Sequence, residues 1–128
     1  MKKVFANTEN HISEANVPWP KENIVRDDFH VVIYKDGFPC TEGHLLFVPK
    51  YNSIDVLRDA ISDAIEHGIN GVEGEFWDGF NVGVNYGKAA GQTVAWPHVH
   101  LIPRRNGDVE DPTGGIRNII PGKGNYRA

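Results

Sequence analysis

The stretch GQTVAWPHVHLIPRR, residues 91–105, carries two of the chain's six histidines, His98 and His100, one residue apart. Side chains alternate across a strand, so an extended reading puts Trp96, His98, His100 and Ile102 on one side and Pro97, Val99 and Leu101 on the other. Pro97 has no N–H to give to a sheet ladder, so the strand starts near it or runs along an edge. Two imidazoles then stand side by side, and three readings are open: a reactive pair, part of a metal site, or two ordinary polar residues. Neutral imidazole is a common ligand for zinc, copper or nickel. A structural zinc takes about four protein ligands and a catalytic one about three. No other histidine or cysteine cluster lies nearby in sequence, although His30 and His44 could approach in space.

Upstream, NYGKAAGQTV at 85–94 supplies an amide, glycine-exposed backbone N–H groups and a hydroxyl. These are groups that hold phosphate. Singly each has a local explanation, since Asn85 could cap a strand and Gly91 could allow a positive φ. Their convergence ahead of two same-face histidines favours a phosphoryl or nucleotidyl site.

Working outward, FHVVIYKDGFP offers a β-rich run from Phe29 to Tyr34, ended by Asp36 and Gly37, and GHLLFVPK at 43–50 offers a second. An antiparallel pair joined by a loop over 36–41 is expected. From Ser53 the residues Ile54, Leu57, Ile61, Ala64 and Ile65 recur at helical spacing, with Ser53 as the expected cap and Gly68 as the expected end. Phe80, Val82 and Val84 alternate as a further strand, and PHVHLIPR at 97–104 supplies another. The two prolines of VPWP, at 17–20, suit an irregular arm over 1–24. The tail, 106–128, has five glycines and two prolines and is expected to wrap the surface with little regular structure.

With 128 residues and a mass of 14.3 kDa, the chain fits one domain over 1–128 with a real core. No apolar run approaches the roughly 20 residues that span a bilayer, and MKKVFANTENH lacks the apolar stretch of a secretory signal. A cytoplasmic protein without a membrane partner is expected. The single cysteine, Cys40, excludes an internal disulfide and is expected to be partly buried. A formal charge of −4 gives no field that would gather nucleic acid, so a phosphate ligand must be held locally.

QTVAWPHVHLIPR resembles the signature of the histidine triad family of nucleotide hydrolases and transferases, in which three histidines alternate with hydrophobic residues. His98 falls on the middle histidine and His100 on the last, while Trp96 stands in place of the first. The resemblance extends through DGFPCTEGHLLFVPK at 36–50 and NVGVNYGKAAGQTV at 81–94. GDVEDPTGGIRNIIPGKGNY at 107–126 is similar to the tail of bacterial members akin to diadenosine polyphosphate hydrolases.

This resemblance implies an α+β fold, an antiparallel sheet of about five strands with one main helix. It implies attack by His98 on the α-phosphorus of a purine nucleotide substrate, a covalent nucleotidyl-histidine, and release of a nucleoside monophosphate. Dinucleoside polyphosphates and nucleoside phosphoramidates are the implied substrates. His100 is implied as phosphate contact and proton donor. Asn85, Gly91, Gln92 and Thr93 match phosphate-side positions, and Asp36 a ribose-binding position, although a turn aspartate explains Asp36 equally well. His44 and the carbonyl of Trp96 are implied as supports behind the reacting histidines. A homodimer is implied. No cofactor is required and no metal is assigned to the chain, any Mg2+ coming with the substrate. The competing classes are a nucleotide-sensing module with little catalysis and a nucleotidyltransferase.

Overall fold

The computed structural model describes residues 2–5, 9–13 and 16–127. Five strands form one antiparallel sheet: β1 (Ile24–Asp27), β2 (Val31–Lys35), β3 (Leu45–Pro49), β4 (Gly79–Gly83) and β5 (Val99–Arg104), in the order β1-β2-β3-β5-β4. One long helix, α1 (Ile54–Glu73), joins β3 to β4. The expected α+β architecture is the one observed. Among the described residues no helix is long and apolar enough to cross a membrane.

Period-two alternation divides the strands between two cores. Val31, Ile33, Leu45, Phe47, Val99 and Leu101 face α1, where they meet Leu57, Ala60 and Ala64. Val32, Tyr34, Leu46, Val48 and Trp96 face the other way and are covered by Val17, Trp19 and Val94 from the arm and from the loop before β5. Because both faces are covered, β2 and β3 are buried along almost their whole length.

Ser53 caps α1 as expected, its side chain accepting from Asp55 N–H at 3.2 Å. The expected end at Gly68 is corrected, since the helix continues to Glu73 and Gly68 lies inside it. The buried small residues Ala60, Ala64, Gly68 and Gly71 let the helix lie close to its neighbours. A Cβ on Gly68 would come within 2.6 Å of the Phe80 ring, and one on Gly71 would overlap the Trp77 indole, whose Nε1–H donates to Gly68 O at 3.0 Å. The glycines serve packing here, and the helix ends in the turn after Glu73.

Other features also differ from the expectation. β1 carries an edge pattern with little buried surface, so no hydrophobic alternation marks it. Phe29 and His30 lie exposed in a bend before β2, and β5 opens at Val99, after His98. The tail is not wholly irregular: Gly115–Ile119 forms a 3-10 turn over the β4 side of the sheet. Cys40 is exposed, on the loop between β2 and β3.

Candidate functional site

The site lies on the sheet face away from α1, between the arm and the tail. His98 precedes β5, and its Nδ1 lies 2.9 Å from Trp96 O. A carbonyl only accepts, so Nδ1 carries the proton and Nε2 presents its lone pair. Burial holds the His98 pKa below 6.5, with the bond to Trp96 opposing, so the ring is neutral at pH 7.

The Trp96 indole does not take part. It is 1% exposed, sits among Val32, Leu46 and Val48, and donates from Nε1 to Pro49 O at 2.9 Å. Its backbone orients His98 while its side chain anchors the preceding loop to the core.

A second set of bonds fixes His100. Cys40 N–H donates to His44 Nδ1 at 3.2 Å, so the proton of a neutral His44 sits on Nε2. That Nε2–H faces His100 Nδ1 at 2.9 Å and Asp36 Oδ2 at 3.3 Å. His100 Nδ1 therefore accepts, and its own proton lies on Nε2. Burial lowers both pKa values, and that of His100 falls to about 4, with His98 and His44 acting against a second positive charge and Asp36 opposing. His100 is thus a neutral hydrogen-bond donor. Protonating its Nδ1 would set two N–H groups against each other.

His98 and His100 line a cavity of about 420 Å³ with Asp36, Asn85, Gly91, Gln92 and Thr93. The predicted groups converge there, but they are engaged differently. Gln92 spends its amide on its own loop, accepting from Gly87 N–H at 2.7 Å and donating to Val94 O at 3.0 Å. Gly91 takes the left-handed conformation, φ 85°, and its N–H is bonded to Lys88 O at 3.0 Å. Among the described residues the Thr93 hydroxyl and the Asn85 amide make no hydrogen bond, which leaves both for a ligand. Asp36 Oδ1 accepts from Phe38 N–H at 2.8 Å, the turn geometry, while Oδ2 faces His44.

Trp19 and Phe38, which sequence reasoning did not assign, also line this cavity. Trp19 meets His98 edge-on at 4.9 Å and leans on Tyr34 at 5.6 Å, while Phe38 is 94% exposed at the rim. The prolines around Trp19 signalled an irregular segment, but nothing in their spacing says which surface that segment covers. Tyr34 lies beneath Trp19 outside this cavity, and Leu46 lines it.

Asp36, His44 and His100 also bring three ligand-type atoms within 4.8 Å of one another. A metal there would have to displace the His44 Nε2 proton that joins the two rings. His30 lies elsewhere, 3.5 Å from Asp59.

The HIT domain model matches residues 19–107. An uncharacterized HIT-like protein of Methanocaldococcus jannaschii is 38% identical over 106 residues, covering 75% of this chain and 80% of the relative. Adenosine 5'-monophosphoramidase of Saccharomyces cerevisiae is 37% identical over 76 residues, covering 57% of this chain and 48% of the enzyme. A zinc-bound histidine triad family protein from Mycobacterium smegmatis superposes with a TM-score of 0.61 at 32% identity, covering 66% of this chain and 67% of that one.

Proposed function

This chain belongs to the HIT domain family, and from that premise we propose that it is a nucleotide hydrolase that cleaves at the α-phosphate through His98. The observation that carries the reading is the bond from His98 Nδ1 to Trp96 O, which aims an unprotonated Nε2 at the cavity beside a second, donor-oriented histidine.

In the proposed reaction the His98 Nε2 lone pair attacks phosphorus and the bond to the leaving group breaks, its electron pair leaving with that group. The positive charge that develops on the ring is stabilised through Nδ1–H and the Trp96 carbonyl. His100 Nε2–H, the Thr93 hydroxyl and the Asn85 amide supply donors for the phosphoryl oxygens, a pre-oriented arrangement of the kind that stabilises the charged transition state. Water then attacks phosphorus, the P–N bond returns its pair to His98, and the nucleoside monophosphate leaves. The proton lost by water balances the one the leaving group takes up.

Trp19, Phe38 and Leu46 provide apolar surface suited to a purine, and the relative named as an adenosine 5'-monophosphoramidase supports an adenine nucleotide and a phosphoramidate substrate. The same reading includes a homodimer that joins the sheets of two copies.

The test compares wild type with His98→Ala on adenosine phosphoramidate and diadenosine triphosphate, with AMP binding measured alongside. The expected result is a loss of turnover of about 10³-fold or more with AMP binding retained. Equal turnover by the two proteins would leave only the nucleotide-sensing reading.

A further inference from the structure

Asn23 lines the cavity that holds His98 and His100, yet it has no part in the reaction described above. It closes the 3-10 turn Lys21–Asn23, which follows Pro20, and its backbone N–H donates to Pro20 O at 3.0 Å. The next residue, Ile24, opens β1 and is paired with Tyr34. A proline of fixed φ on one side and a sheet ladder on the other hold the backbone of Asn23 in place. Its half-buried carboxamide lies beside the loop after β2, where a Cβ on Gly37 would stand 3.8 Å from Asn23 Nδ2. Among the described residues that carboxamide makes no hydrogen bond.

Position separates it from the other two amides of the cavity. Gln92 is spent within its own loop. Asn85 stands with His100 at the border of a second cavity, of about 580 Å³, walled in part by Ile119 of the tail. Asn23 takes no part in that second cavity and belongs with Trp19, Pro20 and Phe38, the apolar walls away from the border.

On the hydrolase reading above, we propose that Asn23 reads the nucleobase and selects adenine over guanine. A carboxamide offers an acceptor and a donor side by side. Adenine presents the complementary pair on both of its polar edges, the N6 amino donor beside N7 and beside N1. Guanine presents two acceptors, O6 and N7, on one edge and two adjacent donors, N1–H and N2–H2, on the other. An amide meets guanine fully in one orientation only, across O6 and N1–H. A carboxylate only accepts, so it reverses the match: it takes both guanine donors together and sets a second acceptor against the ring nitrogen of adenine. Trp19, Phe38 and Leu46 cover the faces of the base without distinguishing one purine from another, which leaves the choice to the amide at its edge.

The experiment measures kcat/KM of wild type, Asn23→Leu and Asn23→Asp on the 5'-phosphoramidates of adenosine and guanosine, and the affinity of each protein for AMP and GMP by titration calorimetry. Circular dichroism checks that the variants keep their fold. Wild type should favour adenine by about fivefold or more in both measurements. Asn23→Leu should fall close to parity, and Asn23→Asp should favour guanine. The readout is the ratio between the two bases, which a general loss of affinity leaves unmoved. A wild type indifferent to the base, or a ratio that neither substitution moves, would overturn the assignment and leave the hydrolase reading standing. If wild type turns over neither phosphoramidate the hydrolase reading fails, and the AMP-to-GMP affinity ratios of the three proteins still decide the role of Asn23.

Discussion

Lowering the pH should destabilise this protein through its histidine cluster, and His100 is where the effect concentrates. Its pKa falls from 6.5 to about 4 because the ring is buried and lies beside two other imidazoles, one of which already donates to its Nδ1. With a folded-state pKa below the unfolded one, the unfolded chain binds more protons between the two values. The stabilisation is therefore complete above pH 6.5 and is lost as the pH falls toward 4. At about 1.4 kcal/mol per pH unit the whole displacement corresponds to roughly 3 kcal/mol. The ring is only partly enclosed, and solvent screening reduces this to about 1–2 kcal/mol. Burial moves His98 and His44 in the same direction. Urea unfolding at pH 7.5, 6.0 and 4.5 should show the stability of wild type falling at each step, and His100→Gln should fall by about 1–2 kcal/mol less across the range. A wild type equally stable at pH 7.5 and 4.5, or a variant that loses as much as wild type, would refute the account of a cluster held neutral by burial.

Two further predictions come from packing and from the loop. Gly71→Ala gains about 1 kcal/mol of helix propensity but drives a methyl group into the Trp77 indole. Overpacking of this kind costs about 1–3 kcal/mol, so a net loss of stability is expected in thermal melts, and a more stable variant would contradict the packing described. Gln92→Ala removes the amide that ties Gly87 to Val94. At about 1–2 kcal/mol for the lost bonds, kcat/KM should fall roughly 5–30-fold with little change in melting temperature, and unaltered kinetics would show that the loop needs no such tie.

The strands that carry a two-sided core announced themselves through β-branched and aromatic runs, and so did the histidines, because alternation places His98 and His100 on one face whatever the rest of the fold does. β1 did not, because an edge strand with little buried surface leaves no periodic trace. Gly68 was misread as a helix end because the sequence shows a missing side chain without showing the ring of Phe80 that needs the space. Within the site, Asp36, Asn85, Gln92 and Thr93 were legible as polar groups near a phosphate-type turn, but their division of labour was not. That Gln92 ties the loop together while Thr93 faces the cavity depends on hydrogen bonds formed only once the chain is folded. Trp19 and Ile119 come from opposite ends of the chain, and only the sheet between them brings both to cavities that share His100.

The central claim is that His98 Nε2 becomes bonded to phosphorus. Rapid mixing with an adenylate-donating substrate, quenching under mildly alkaline conditions that spare a phosphorus–nitrogen bond, and mass spectrometry of the peptide containing residues 91–104 tests it directly. The account predicts an adenylyl group on His98, formed during turnover and absent from His98→Ala. An adduct on His100, or steady hydrolysis by wild type with no adduct on any histidine, would contradict it.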